Sequence, residues 1–209
     1  MTPATTASTT PAADSANLAP GWQWAPFWVL AFVALWPAPG VAEAVMVLGA
    51  LAAIARLLYV RFRGGGALLS VQAWALTSVL FFAYWVPELI ASVDALDRAR
   101  AFRETAVDLR YLPFLWLAAS AVADARGRRI TFGGLAVIVA VWTLDALVQV
   151  ASGTSPLFFA MDAANEAIRG RRLCEPNDYF LLDRLGGVLG PCNLKLGVLL
   201  ATLSPFALH

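Results

Sequence analysis

A stretch rich in glycine and basic residues precedes the last apolar segment. It reads "RLGGVLGPCNLKLG" over 184–197, and Asn193 is a residue type that favours the start of a helix. A helix N-terminus carries partial positive charge, so Lys195 in the first turn faces like charge, and Arg184 adds to it. Glycines such as Gly187 let the backbone approach a ligand and direct its amides at it. These features predict an anion site for phosphate or pyrophosphate. The alternative is a flexible re-entry loop whose Lys195 extends to lipid headgroups.

Other polar residues lie at the ends of apolar segments. Arg110 directly precedes one such segment, while Asp145 and Gln149 are four residues apart and therefore share one helix face. Polar groups within a bilayer cost about 3 kcal/mol or more unless they are paired, which makes them candidates for binding. The alternative is a structural ion pair of Arg110 or Arg184 with an acid such as Asp145 or Glu88.

The chain contains two cysteines, Cys174 and Cys192. A disulfide between them would close a loop and add roughly 3 kcal/mol of stability on the chain-entropy model. The alternative is two free thiols. Two isolated cysteines and a lone histidine at the last position, His209, do not supply a metal-ligand set, so no metal site is predicted.

The composition predicts an all-α polytopic membrane protein. Hydrophobic residues make up 60% of the chain and charged residues 14%, and the mean hydropathy is +0.69. Average soluble domains contain about 25% charged residues. The net charge of +1 and the lack of a basic stripe give no indication of nucleic-acid binding.

About six apolar segments are candidate membrane spans. They cover 21–36, 41–60, 67–87, 111–123, 130–151, and the region from Asn193 onward. Residues 88–110 predict an amphipathic helix on the outer membrane surface, or alternatively a solvated helix packed on its neighbours. The tail over 1–21 is rich in Thr, Ala, Ser and Pro and is predicted to be disordered. Residues 22–209 are predicted to form one transmembrane helical domain, with a loop over 152–192 on the outer side.

The arginines predict the orientation. Loops that are rich in arginine lie preferentially in the cytoplasm, and two of the predicted loops have this character. Their arginines are Arg56, Arg61 and Arg63, and Arg126, Arg128 and Arg129. The N-terminus is therefore predicted to be cytoplasmic, and the candidate polar residues to lie on the outer side.

Two motifs resemble the O-antigen ligase and polysaccharide polymerase family of bacterial inner membranes. They are "WTLDALVQVASGTSPLF", 142–158, and "RLGGVLGPCN", 184–193, and "VDLRYLPFLW", 107–116, is similar to the family's arginine-led span. Cys192 departs from the proline that the family often has before the asparagine. The positions that match the family pattern are Asp145, Gln149, Gly153, Arg184, Gly187 and Asn193.

The resemblance implies a membrane glycosyltransferase that works on the periplasmic face without metal or other cofactor. It would transfer a glycan from undecaprenyl pyrophosphate to lipid A-core, or to another glycan in a polymerase. Arginines, here Arg184 and Arg110, would hold the pyrophosphate, while Asp145 and Gln149 would position donor or acceptor. Family members are usually much longer, so the chain is expected to be a front half that lacks the catalytic loop. The alternative is a non-catalytic membrane protein that binds or moves lipid-linked glycan.

Overall fold

The computed structural model describes residues 22–38, 40–63, 67–175, 185–193 and 195–207, and these form an all-helical fold. The predicted disordered tail over 1–21 and Arg184 lie outside the described residues. A 3₁₀ turn over Gly187–Leu189 lies between the last two helices. The helices are α1 (Ala25–Ala34), α2 (Val41–Arg63), α3 (Val71–Val93), α4 (Arg98–Asp108), α5 (Tyr111–Ala121), α6 (Ala125–Ser152), α7 (Pro156–Arg169) and α8 (Leu196–Ala207).

Three helices, α2, α3 and α6, are long and apolar enough to cross a bilayer. They contain 23, 23 and 28 residues. At about 1.5 Å per residue each exceeds the hydrocarbon thickness of about 30 Å. The first, fourth and sixth predicted spans also form helices, but α1, α5 and α8 have only 10, 11 and 12 residues. Three spans of the predicted six are therefore long enough, whereas the other three helices are too short to cross alone.

The longest helix, α6, has a side-chain cap at one end and a glycine at the other. The Asp124 carboxylate accepts the backbone N–H of Gly127 at the start. Gly153 ends the helix with φ +76°, and its N–H donates to the carbonyl of Gln149 at 2.8 Å. A side-chain N-cap and a left-handed glycine after the last turn are standard helix termini, and they fix where Asp145 and Gln149 lie.

The single amphipathic helix predicted over 88–110 is wrong in its boundaries. Helix α3 continues through Pro87 to Val93, and a separate amphipathic helix, α4, begins after the Asp97 N-cap. Helix α4 packs on α3, partly through polar contacts. Trp85 Nε1 on α3 donates to the carbonyl of Thr105 on α4 at 2.8 Å. The hydroxyls of Ser92 and Thr105 are also 2.9 Å apart and buried. These contacts hold α4 beside the end of α3.

The predicted outer loop over 152–192 also contains a helix, α7. The Ser155 hydroxyl accepts the N–H of Phe158 at its start, Pro156 occupies its first turn, and Gly170 ends it with φ +66°. Serine before proline and a terminal glycine are the expected signals for a helix of this length.

Two apolar clusters form the core, and α1 contributes to both. The first joins α1, α2 and α5 through Ala25, Met46, Ala50, Ala53, Phe114, Leu117 and Ala121. The second joins α1, α6, the 3₁₀ turn and α8 through Val33, Leu135, Trp142, Ala146, Val188, Leu189 and Leu196. Helix α1 therefore lies between the pair α2–α5 and the pair α6–α8.

Candidate functional site

Asp145 connects the end of α6 to the start of α7. Its side chain is buried, with 5% of the residue exposed. Oδ2 accepts the hydroxyl of Ser155 at 2.6 Å, and Oδ1 accepts the backbone N–H of Leu157 at 3.0 Å. The carboxylate thus satisfies two donors at the N-terminus of α7, where an anion also interacts favourably with the helix dipole. The predicted alternative of an ion pair between Asp145 and Arg110 does not form.

Gln149 connects α6 to the glycine-rich stretch. Its Oε1 accepts the backbone N–H of Gly187 at 2.6 Å, and both residues are buried. Gly187 has φ +50°, and a Cβ there would lie 2.6 Å from Leu196 Cδ2. Gln149 and Gly187 are therefore in direct contact, whereas Asp145 binds the start of α7. However, the Gly187 amide donates to Gln149 instead of pointing at a ligand.

Gly190 lets the same stretch pack against α7. It has φ +76°, and a Cβ at this position would overlap the ring of Phe158. Its own N–H donates to the carbonyl of Gly187 at 3.0 Å. The glycines at 187 and 190 are thus explained by a tight turn that packs between α6, α7 and α8.

The disulfide predicted between Cys174 and Cys192 is present. It ties the segment after α7 to the start of α8, and the adjacent Asn193 is half-buried. Asn193 Oδ1 accepts the backbone N–H of Lys195 at 3.2 Å, so its side chain supports the turn that leads into α8. Lys195 is exposed.

Arg110 is the N-cap residue of α5 and lies beside the first turn of α2. Its side chain is 26% exposed, and its Nη2 is 4.0 Å from Oε1 of Glu43, whose side chain is 65% exposed. The guanidinium carbon is 5.6 Å from the ring centroid of Tyr111. Arg110 Nε is buried and has no hydrogen-bond partner among the described residues. A pair at this distance with an exposed carboxylate contributes little, so the Arg110 cation is poorly neutralised.

A cleft of about 270 Å³ is lined in part by Glu43 and Tyr111, the two residues that the Arg110 side chain contacts. Its wall is partly apolar, from Phe32, Trp36 and Met46, and its polar groups come from Glu43, Tyr111 and Asn193. We call it the α1–α2–α5 cleft. It brings Asn193 of the glycine-rich stretch to the same end of the bundle as Arg110.

A second arginine, Arg169, contacts the same turn of α2 from α7. A Cβ built at Gly40 would lie 3.2 Å from Arg169 Nη1, and Gly40 itself lines the cleft. Arg169 was not among the predicted site residues, because its segment was predicted to be a loop. The Ser155–Pro156 start and the Gly170 end of α7 are the sequence signals that could have identified the helix. They would not have predicted the contact with Gly40.

Most of the described residues that were predicted to form the site divide into two groups. Asp145, Gln149 and Gly187 form buried hydrogen bonds that hold the segments after α6. Asn193 lines the cleft, and Arg110 contacts Glu43 and Tyr111 in its wall, whereas Lys195 is exposed and belongs to neither group. No cluster of three or more His, Cys, Asp or Glu residues that could hold a metal ion occurs within the described ranges.

Comparisons with known proteins give no relative from which a family could be assigned. No family model, no curated protein and no solved structure matches this chain.

Proposed function

We propose that this protein is a membrane-embedded glycan transferase of the O-antigen ligase type. It would take a polysaccharide from undecaprenyl pyrophosphate and join it to an acceptor such as lipid A-core, with the α1–α2–α5 cleft binding the pyrophosphate. The observation that carries the proposal is the Arg110 guanidinium, whose buried Nε lacks a partner in the described part of the chain and which contacts Glu43 and Tyr111 of the cleft wall.

The charges at the cleft suit a pyrophosphate. Arg110 and Arg169 approach the first turn of α2 from two different helices. Guanidinium groups bind phosphate oxygens through paired hydrogen bonds. When the bond between sugar and pyrophosphate breaks, negative charge grows on the leaving group, and positioned arginines stabilise it. Arg184, which lies outside the described residues, is the further cation that the resemblance assigns to the pyrophosphate.

The apolar wall of the cleft suits the lipid part of such a donor. Phe32, Trp36 and Met46 line it, and Trp36 is half exposed. A prenyl chain leaving the cleft would therefore meet apolar side chains before it enters the bilayer.

The proposed location is the bacterial inner membrane, with the N-terminus in the cytoplasm. The basic residues Arg126, Arg128 and Arg129 lie at the start of α6, whereas Asp145 and Gln149 lie near its other end. The positive-inside rule then assigns the cleft to the periplasmic side.

A binding role without transfer is the second candidate function. Asp145 and Gln149, which were expected to position donor or acceptor, are both engaged in buried hydrogen bonds. That arrangement favours a protein that binds or moves a lipid-linked glycan. A polymerase would differ from a ligase only in using another glycan as acceptor.

The first test is binding of farnesyl pyrophosphate, as a short prenyl pyrophosphate probe, to the full chain in nanodiscs. Arg110→Gln should weaken binding about tenfold or more, because a charge-assisted contact is lost. Arg103→Gln, at an exposed arginine of α4, is the matched control and should bind like the wild type. Equal binding by Arg110→Gln and wild type would contradict the assignment of the cleft.

A transfer assay separates the two candidate functions. Undecaprenyl pyrophosphate-linked glycan and lipid A-core are supplied to the reconstituted protein, and the acceptor is analysed for added glycan. Glycan transfer that Arg110→Gln abolishes supports the transferase. Binding without any transfer supports the second candidate or the donor-binding front half that the resemblance implies.

A further inference from the structure

A second cavity, a groove of about 510 Å³, lies between α1 and α2. Trp22, Trp24, Phe27 and Trp28 supply its aromatic side chains, and Ala31 and Ala52 leave room between the helices. We call it the α1–α2 groove. It is lined from the first part of α1, whereas the α1–α2–α5 cleft is lined by Phe32 and Trp36 at the end of α1. The two cavities are therefore separate.

The groove has the size and lining of a site for a hydrocarbon chain. Its volume falls within the range of about 300–1,000 Å³ that is typical of ligand pockets. All its lining residues are apolar, and α2 is one of the helices that can cross a bilayer. Helix α1 has only 10 residues and cannot cross the bilayer beside α2. The groove borders a helix that is long and apolar enough to cross a bilayer, so lipids are the molecules expected to reach it.

Arg56 lies one helical turn beyond the groove. It follows Ala52 by four residues and so projects from the same face of α2. It is half-buried, and its Nε is buried without a hydrogen-bond partner in the described portion of the protein. The guanidinium carbon is 5.8 Å from the ring centroid of Tyr59. A cation this close to an apolar region requires a counter-charge.

A second arginine lies at the Trp22 end of the groove. Trp22 also lines a small polar hollow that includes Gln23, Asp124 and Arg126. The neighbouring Arg128 donates to the carbonyls of Val122 and Ala123, whereas Arg126 remains exposed. With Arg56, the two arginines at this end of the groove outnumber the one acid, Asp124.

We propose that the α1–α2 groove binds one acidic phospholipid. One acyl chain lies along the tryptophan wall, the phosphate contacts Arg56, and Arg126 supplies a second positive charge at the Trp22 end. The apolar groove selects the chain, and the arginines select the anionic headgroup. This site is independent of the proposed glycan transfer, since it uses other residues at a different part of α1.

Native mass spectrometry of the delipidated full chain tests the site. Phosphatidylglycerol and phosphatidylcholine with the same acyl chains are added back separately, and the retained lipid is counted. The wild type should retain one phosphatidylglycerol in preference to phosphatidylcholine. Equal retention of the two lipids by the wild type would overturn the proposal.

Two variants separate the groove from the headgroup site. Ala52→Trp fills the groove and should weaken retention of both lipids, whereas Ala83→Trp, at an exposed alanine of α3, is the matched control. Arg56→Gln leaves the volume of the groove unchanged and should reduce phosphatidylglycerol binding about tenfold, towards the level of phosphatidylcholine, with Arg126 retaining part of the preference. Arg61→Gln, at an exposed arginine of α2, should have no effect. Unchanged phosphatidylglycerol retention in Arg56→Gln would overturn the proposal even if Ala52→Trp failed to fold.

Discussion

The backbone N–H of Gly187 donates a 2.6 Å hydrogen bond to Oε1 of Gln149, which lies 38 residues earlier in the chain. The surrounding contacts between α6 and the 3₁₀ turn are apolar, from Trp142, Val188 and Leu189. Apolar packing alone is weakly directional, so this bond sets the position of the turn on α6.

Replacing Gln149 by leucine should destabilise the protein by about 1–3 kcal/mol, because the buried Gly187 N–H loses its acceptor. The measurement is thermal unfolding in mild detergent. Gln72→Leu, at an exposed glutamine of α3, is the matched control and should leave the melting temperature nearly unchanged. If both variants melted like the wild type, the bond would not anchor the turn.

Replacing Gly190 by alanine should cost about 2 kcal/mol or more. The residue has φ +76°, and the added Cβ would overlap the Phe158 ring. Gly133→Ala provides the contrast, because nothing lies within 4 Å of a Cβ in that position of α6. It should be neutral or stabilise by about 0.5–1 kcal/mol. Chemical unfolding curves of the two variants measure the difference, and equal effects would argue against the close packing at Gly190.

Reduction of the Cys174–Cys192 disulfide should lower stability by roughly 3 kcal/mol on the chain-entropy model. Melting temperatures with and without reductant report the change, with thiol labelling to verify complete reduction. The double variant Cys174→Ser/Cys192→Ser should melt like the reduced protein and should not respond to reductant. An unchanged melting temperature after complete reduction would show that the bridge does not stabilise this segment.

Replacing Glu43 by glutamine should tighten farnesyl pyrophosphate binding about two- to fivefold. Glu43 lines the cleft 4.0 Å from Arg110, and its replacement removes a negative charge that would repel the pyrophosphate. Glu104→Gln removes a comparable carboxylate from Arg100 on α4 and should not change binding. Isothermal titration of both variants gives the comparison. Weaker binding by Glu43→Gln would mean that Glu43 itself contacts the probe.

The features predicted correctly depend on local sequence. The spacing of Asp145 and Gln149 fixes a shared helix face, and both side chains are buried on α6. The chain contains two cysteines, so a disulfide within it could join only Cys174 to Cys192. Helix α7, in the segment predicted to be a loop, has equally local signals in Ser155–Pro156 and Gly170.

The features that could not be predicted depend on contacts between distant segments. Arg110 is near Glu43 because α2 and α5 pack closely, and a Cβ at Gly49 would lie 3.0 Å from the Phe114 ring. The contact of Arg169 with Gly40 similarly needs α7 to fold over the start of α2. Neither pairing has a signal in the spacing of residues along the chain, since each depends on the packing of whole helices.

The shortness of α5 has a consequence for the lipid around the protein. Its 11 residues cover about 17 Å, whereas the hydrocarbon layer is about 30 Å thick. Arg110 at one end and Asp124, just after the other end, both bring polar atoms to this short segment. Lipids reduce such a mismatch by compressing next to the short helix. We therefore expect a local dent in the bilayer beside α5, where headgroups of the two leaflets approach each other.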